Sequence, residues 1–235
     1  MVAVKKISKR KLKEPDEFIT LSEQAFLFVR AHLKKVVAGV VVVVVVVLAL
    51  VFFQMWEKKK EGEAQTAFAS VMEVYQKVDS PYKEATSQDY KEVLAKIDEV
   101  IAKFPRTAPG KLSLLYKGNL HLRLGEFDEA VKACNSFLEK GGKGDLFRAF
   151  AWEGLGYAYE GKKDYAKALE SYRKVIEMGS TPQLAHAYLG AGRCYEKLGK
   201  SKEALETYKT YMKTAQKSQE SNMVLNKIAL LEGGK

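Results

Sequence analysis

The stretch Gly118 to Ala130, GNLHLRLGEFDEA, recurs without gaps as GYAYEGKKDYAKA from Gly156 to Ala168 and as GRCYEKLGKSKEA from Gly192 to Ala204. The leading glycines are 38 and then 36 residues apart, and so are the closing alanines. Self-similarity at a fixed period of this size is the signature of a solenoid built from one repeated supersecondary unit. A fourth, degenerate copy lies upstream, where Asp89, Tyr90, Lys91, Glu92 and Val93 lead to Pro105, and Val93 precedes Ala130 by 37.

The residue types explain why the unit is a helical hairpin. Gly118, Gly156 and Gly192 mark close crossings of a first helix with its neighbour, where a Cβ would force the two apart. Trp152 and Tyr188, four residues before two of these glycines, and Tyr159 and Tyr195, three after, project from one helical face as large knobs. Gly125 and Gly199 supply the left-handed residue that ends the first helix. In the second copy Lys163 stands in that place. Ala130, Ala168 and Ala204 then let the second helix return tightly, with Phe137, Tyr172 and Tyr208 expected in the groove behind them.

The order Trp/Tyr, Gly, Tyr, Gly, Ala resembles the tetratricopeptide repeat family, present in two copies, one of them with Lys163 for the turn glycine, and with His121 for the tyrosine in a third. The resemblance implies an all-α, α-α solenoid of about four hairpins, at residues 57–105, 108–140, 145–178 and 181–217. In the first of these a continuous helix is expected from the membrane through Glu57 to about Lys77, and a return helix from Asp89 to Phe104. A C-terminal helix over 220–231 would cover the open apolar face of the last hairpin, as terminal repeats require.

Ahead of the repeats, Val36 to Phe53 are 18 consecutive residues without charge or hydrogen-bonding side chain, eight of them the valine run Val40 to Val47. With Gln54, Met55 and Trp56 the segment reaches about 31 Å as a helix, enough for a hydrocarbon core of roughly 30 Å. Valine favours strands in water, but in lipid a lone segment can satisfy its backbone only as a helix. The 35-residue leader and the Phe52, Phe53, Gln54, Met55, Trp56 ending do not fit a cleaved secretory signal. The expected organisation is therefore a basic tail, 1–35, a single transmembrane helix, 36–56, and the repeat domain, 57–235. Within the tail, Phe18, Leu21, Ala25, Phe28, Val29 and Leu33 line one face of a helix starting near Pro15 and Asp16.

The charges next to the anchor are balanced, Lys34 and Lys35 against Lys58, Lys59 and Lys60. Lys5, Lys6, Lys9, Arg10, Lys11 and Lys13 tip the positive-inside rule towards a cytoplasmic N-terminus, which puts 57–235 on the other side. The formal net charge of +10 concentrates in the tail, with nine basic and four acidic residues; 57–235 carries 30 against 25, interspersed. That pattern offers no basic stripe or stacking platform for nucleic acid.

Catalysis finds no support. His32, His121 and His186 are scattered without a metal-binding or nucleophile motif, and His121 reads as a packed core residue. Gly141 to Gly144 lacks the Lys-Ser/Thr ending of a phosphate loop. Cys134 and Cys194, 60 residues apart, read as small buried hydrophobes. No cofactor, metal or small-molecule substrate is expected. The binding surface of such a solenoid is the concave face formed by the first helices. By register it should present Leu115, Asn119, Phe150, Glu153, Tyr157, His186, Leu189, Arg193 and Lys197, with Phe150 and Tyr157 as the best anchors. Packing of some of these against neighbouring helices or the cap is the alternative. Repeats that clamp a chaperone's C-terminal carboxylate carry Lys and Asn four apart; here Leu115 precedes Asn119.

Over the whole chain, the charged tail, the apolar helix and a repeat domain starting directly at Trp56 resemble the YfgM-like family, membrane-anchored ancillary subunits of the Sec translocon. The resemblance implies a bacterial inner-membrane protein with a periplasmic repeat domain, contacting translocon subunits and passing exported clients to chaperones. A periplasmic scaffold for envelope assembly or division, and an inverted, cytoplasmic-facing adaptor or regulator, remain the alternatives.

Overall fold

A computed structural model describes residues 17–79, 85–141, 144–215 and 220–233. The chain divides into two units, Met1–Glu57 and Lys58–Lys235. Among the described residues every regular element is an α-helix. The all-α fold and the tetratricopeptide-like solenoid expected from the sequence are both present.

In the first unit, α1 spans Glu17–Ala31 and α2 begins at Leu33. The proposed start of α1 at Pro15 lies outside the described residues. From Val40 to Phe53 every residue of α2 is exposed; Val43 and Phe52 keep 62% and 73% of their accessible surface. The helix is long and apolar enough to cross a membrane, and nothing among the described residues buries its apolar window. Helix α2 continues to Val78, as the expected continuous helix through Glu57 to about Lys77 requires.

In the second unit the end of α2 packs with α3 (Ser87–Lys103) and α4 (Ala108–Arg123) around Ala64, Val71, Val93, Ile97, Val100, Phe104 and Leu120. Helix α3 starts at a capping box, Thr86 receiving the Asp89 N–H while the Asp89 carboxylate receives that of Thr86. Pro105 follows the helix and keeps it from continuing. Thr107 caps α4 by accepting from the Gly110 N–H. Hairpins α4/α5 (Phe127–Lys140), α6 (Asp145–Gly161)/α7 (Tyr165–Glu177) and α8 (Leu184–Lys197)/α9 (Ser201–Thr214) follow. Helix α10 (Ser221–Gly233) closes the array, burying Val224 completely against Leu189, Ala204, Tyr208 and Tyr211.

The recurring small residues lie where the crossings demand them. Ala130, Ala168 and Ala204 are fully buried. A Cβ on Gly118 would come within 2.7 Å of Cys134 Sγ, and one on Gly156 or Gly192 within 2.4 Å of the Tyr172 or Tyr208 ring. The expected partner in the first hairpin needs correction. Cys134, four residues after Ala130, occupies the place of Tyr172 and Tyr208; Phe137 lies three residues further on and closes against Gly141.

Gly125 and Gly199 adopt φ 72°, and Lys163 takes the same left-handed position at φ 60°. A side chain there is strained by about 1–2 kcal/mol, against roughly 0.5–1 kcal/mol of extra glycine entropy. Lys163→Gly should therefore raise stability by about 0.5–1 kcal/mol, read as a higher urea midpoint; a lower midpoint would show that Lys163 contributes a contact worth more than the strain.

Candidate partner-binding groove

The first helices bring five of the nine register-selected residues to one groove of about 260 Å³: Leu115 and Asn119 from α4, and Phe150, Glu153 and Tyr157 from α6. Three- and four-residue spacing places each set on one helical face. Sequence reasoning missed Tyr75 from α2, Tyr116, Leu122 and Arg123 from α4, Cys134 from α5 and Phe147 from α6, which line the same groove. The spacing of Cys134 from Ala130, matching that of Tyr172 from Ala168, was the available signal.

The groove walls are aromatic and fixed. The Tyr75 hydroxyl donates to Asn119 Oδ1 at 3.2 Å, and its ring meets that of Tyr116 edge-on at 5.9 Å. Arg123 forms a two-pronged pair with Asp79, at 3.1 and 3.3 Å. Phe147, Phe150 and Tyr157 remain 42%, 41% and 38% exposed on α6. Exposed aromatics beside a concave apolar surface are what binding anchors look like. The volume suits one or two side chains and falls below the range typical of small-molecule sites, roughly 300–1,000 Å³.

Glu153 is buried beneath this rim and accepts from the Tyr157 hydroxyl at 3.3 Å and from His186 Nδ1–H at 3.0 Å. Burial raises its pKa above the ordinary 4.5, with His186 and Tyr157 pulling the other way. Burial likewise pushes the Tyr157 hydroxyl and the Cys134 thiol up to about 12, so both stay protonated and the cysteine is unreactive at neutral pH. Because folded Glu153 holds its proton to higher pH than the unfolded chain does, the stability it contributes is complete below about 4.5. That contribution is lost as pH rises through the raised value. The non-titrating Glu153→Gln variant should thus compare least well with the parent at pH 4.5 and gain on it by pH 7.5 in paired urea titrations. A gap independent of pH would contradict this.

The other four residues take separate positions. His186 is exposed and joins the groove only through Glu153. Arg193 sits over the Tyr157 ring at 6.0 Å with its guanidinium committed to Glu160, at 3.0 and 2.6 Å. Lys197 is exposed at the end of α8, away from the groove lining. Leu189 is a correction: at 6% exposure it is buried under α10, which covers in the last hairpin the register position that Leu115 and Glu153 hold in the others.

His121 is buried, as a core histidine, with Nδ1 2.7 Å from Glu126 Oε2 across the turn. Cys134 and Cys194 are both buried and unbridged. Among the described residues no three His, Cys, Asp or Glu side chains gather as a metal site would need.

A family model described as a tetratricopeptide repeat-like domain matches residues 28–233. No curated protein matches the chain. Among solved structures the chain is similar to MamA, with 19% identity, 63% of this chain and 79% of that one covered, and a TM-score of 0.53. A tetratricopeptide repeat protein from Parabacteroides merdae shows 18% identity over 72% of this chain and 61% of that one, with a TM-score of 0.56. MamA from Desulfovibrio magneticus, residue 41 to the end, shows 17% identity over 64% and 74%, with a TM-score of 0.52. At such identities the likeness is one of fold.

Proposed function

The chain belongs to the tetratricopeptide repeat-like domain family, and on that premise we propose that it is a membrane-anchored scaffold that docks partner proteins in the groove between α4 and α6. Its architecture suits protein-protein interaction, and the observation that carries the reading is the aromatic, 260 Å³ groove on the first-helix face. The exposed apolar length of α2 supports an anchor through residues 36–56. The finer reading is that of an ancillary translocon subunit, its repeat domain in the periplasm, linking protein export to chaperones. It draws on the resemblance in overall order and on the basic tail.

Co-purification after gentle detergent extraction tests this. Recovery of translocon subunits or periplasmic chaperones is expected, and recovery should fall at least tenfold for Phe150→Asp, which places a charge on the groove rim. Enrichment of a division or envelope-assembly complex instead would replace the partner while keeping the scaffold. Undiminished recovery by Phe150→Asp would remove the groove from the interface. Protease treatment of spheroplasts addresses topology: residues 57–235 should be degraded, and protection would favour the cytoplasmic-facing adaptor.

A further inference from the structure

We propose that the groove is a socket for a single phenylalanine side chain of the partner, seated where the second and third hairpins carry tyrosines of their own. The inference rests on the docking reading above and narrows its ligand.

The template is internal. Tyr172 lies between two glycines, since a Cβ on either Gly156 or Gly190 would come within 2.4 Å of its ring. Its hydroxyl donates to Glu160 Oε2 at 2.6 Å, and Glu160 is held by Arg193 from the next hairpin. The third hairpin repeats the device with Tyr208 against Gly192, donating to Glu196, which accepts at 2.6 Å from Lys227 of α10.

The first hairpin keeps the two glycines and loses everything else. Gly118 and Gly154 both face the Sγ of Cys134, where a Cβ would approach to 2.7 and 3.1 Å. In register, Cys134 replaces Tyr172, Leu122 replaces Glu160 and Tyr157 replaces Arg193. The ring is missing, and the acid and the cation that serve it are missing with it. All three substitutes line the 260 Å³ groove. The sulfur fills the base of the slot between the two backbones, and the space a tyrosine ring would take beyond it belongs to the groove on the first-helix face.

Charge complementarity selects the occupant. Cys134, Leu122 and Gly154 offer no charge, and the two charged groups of the lining are already engaged, Arg123 by Asp79 and Glu153 by His186 and Tyr157, so a lysine or carboxylate would be buried without a free partner, at high cost. A tyrosine would set its hydroxyl against Leu122, where Tyr172 finds a carboxylate, and would leave it unsatisfied. A phenylalanine has nothing to satisfy and gains the ring contacts of the aromatic walls.

The test uses the full chain in lipid nanodiscs and four peptides, acetyl-Ser-Gly-Ser-Xaa-Ser-Gly-Ser-amide with Xaa as Phe, Tyr, Leu or Lys, read by methyl NMR at Leu115 and Leu122. The Phe peptide should shift both methyl groups and bind roughly tenfold tighter than the Leu peptide, with the Lys peptide silent. Cys134→Tyr fills the socket from within and should lose the Phe peptide by at least tenfold while keeping the native helical spectrum. Leu122→Glu restores an acceptor without adding a ring and should reverse the order, with Tyr above Phe, read at Leu115. Equal binding of the Phe and Leu peptides overturns the proposal. So do a Cys134→Tyr chain that still binds, an unchanged order in Leu122→Glu, and silence towards all four peptides. None of these outcomes touches partner recovery and its loss in Phe150→Asp, by which the docking reading is judged separately.

Discussion

Tyr172→Ala should lose about 3–5 kcal/mol of stability, the range for deleting a buried aromatic side chain. Tyr172 is fully buried, and its ring fills the space that Gly156 and Gly190 leave between α6, α7 and α8. Removing it leaves a void bounded by backbone, which cannot collapse without drawing two helices together. Glu160 also loses one of its donors, although Arg193 stays. Against a total of roughly 5–15 kcal/mol for a domain, this is a large fraction. Urea unfolding with hydrogen exchange along α6 to α9 should show the loss centred there, because each repeat contacts mainly its neighbours. Tyr172→Phe separates the terms, with an expected cost of about 1–1.5 kcal/mol for the hydroxyl alone. A Tyr172→Ala chain within about 1 kcal/mol of the parent would be far below the buried-aromatic range and would show that the glycine-lined crossing is not what holds the hairpins together.

The double variant Val44→Arg/Val45→Asp should release the chain from the membrane. On the insertion scale, apolar residues contribute about −0.3 to −0.6 kcal/mol each near the helix centre, so the run from Val36 to Phe53 supplies roughly −5 to −9 kcal/mol. Two central charges cost about 2.5–3.5 kcal/mol each, roughly 5–7 kcal/mol together, which cancels most of that. Alkaline carbonate extraction reads the result: the parent in the pellet, the variant mostly in the supernatant. A variant that stays in the pellet would mean the apolar length of α2 is not what anchors the protein.

Much of the fold was legible because its constraint is steric and local. A glycine that must admit a tyrosine ring, and an alanine that must admit a helix, leave marks at fixed positions, and Gly156, Gly192, Ala168 and Ala204 give the period directly. The groove was legible only in part, since it arises from what one hairpin lacks. Aligning Phe137 with Tyr172 hid the tyrosine-to-cysteine change at 134, and with it the slot. Tyr75 was unreadable for another reason: it comes from the end of α2, outside the three clear copies, and reaches the groove by packing alone. Leu189 was misplaced because register says which way a residue points and not whether a later helix covers it.

Site-specific photo-cross-linking in intact membranes tests most directly whether the first-helix groove is where partners dock. Cross-linkers at Asn119 and Phe150 should give an adduct with the same partner protein, and one at Arg173, exposed on α7 outside the groove, should give none. Equal adducts from Arg173, or none from either groove position, would contradict the account.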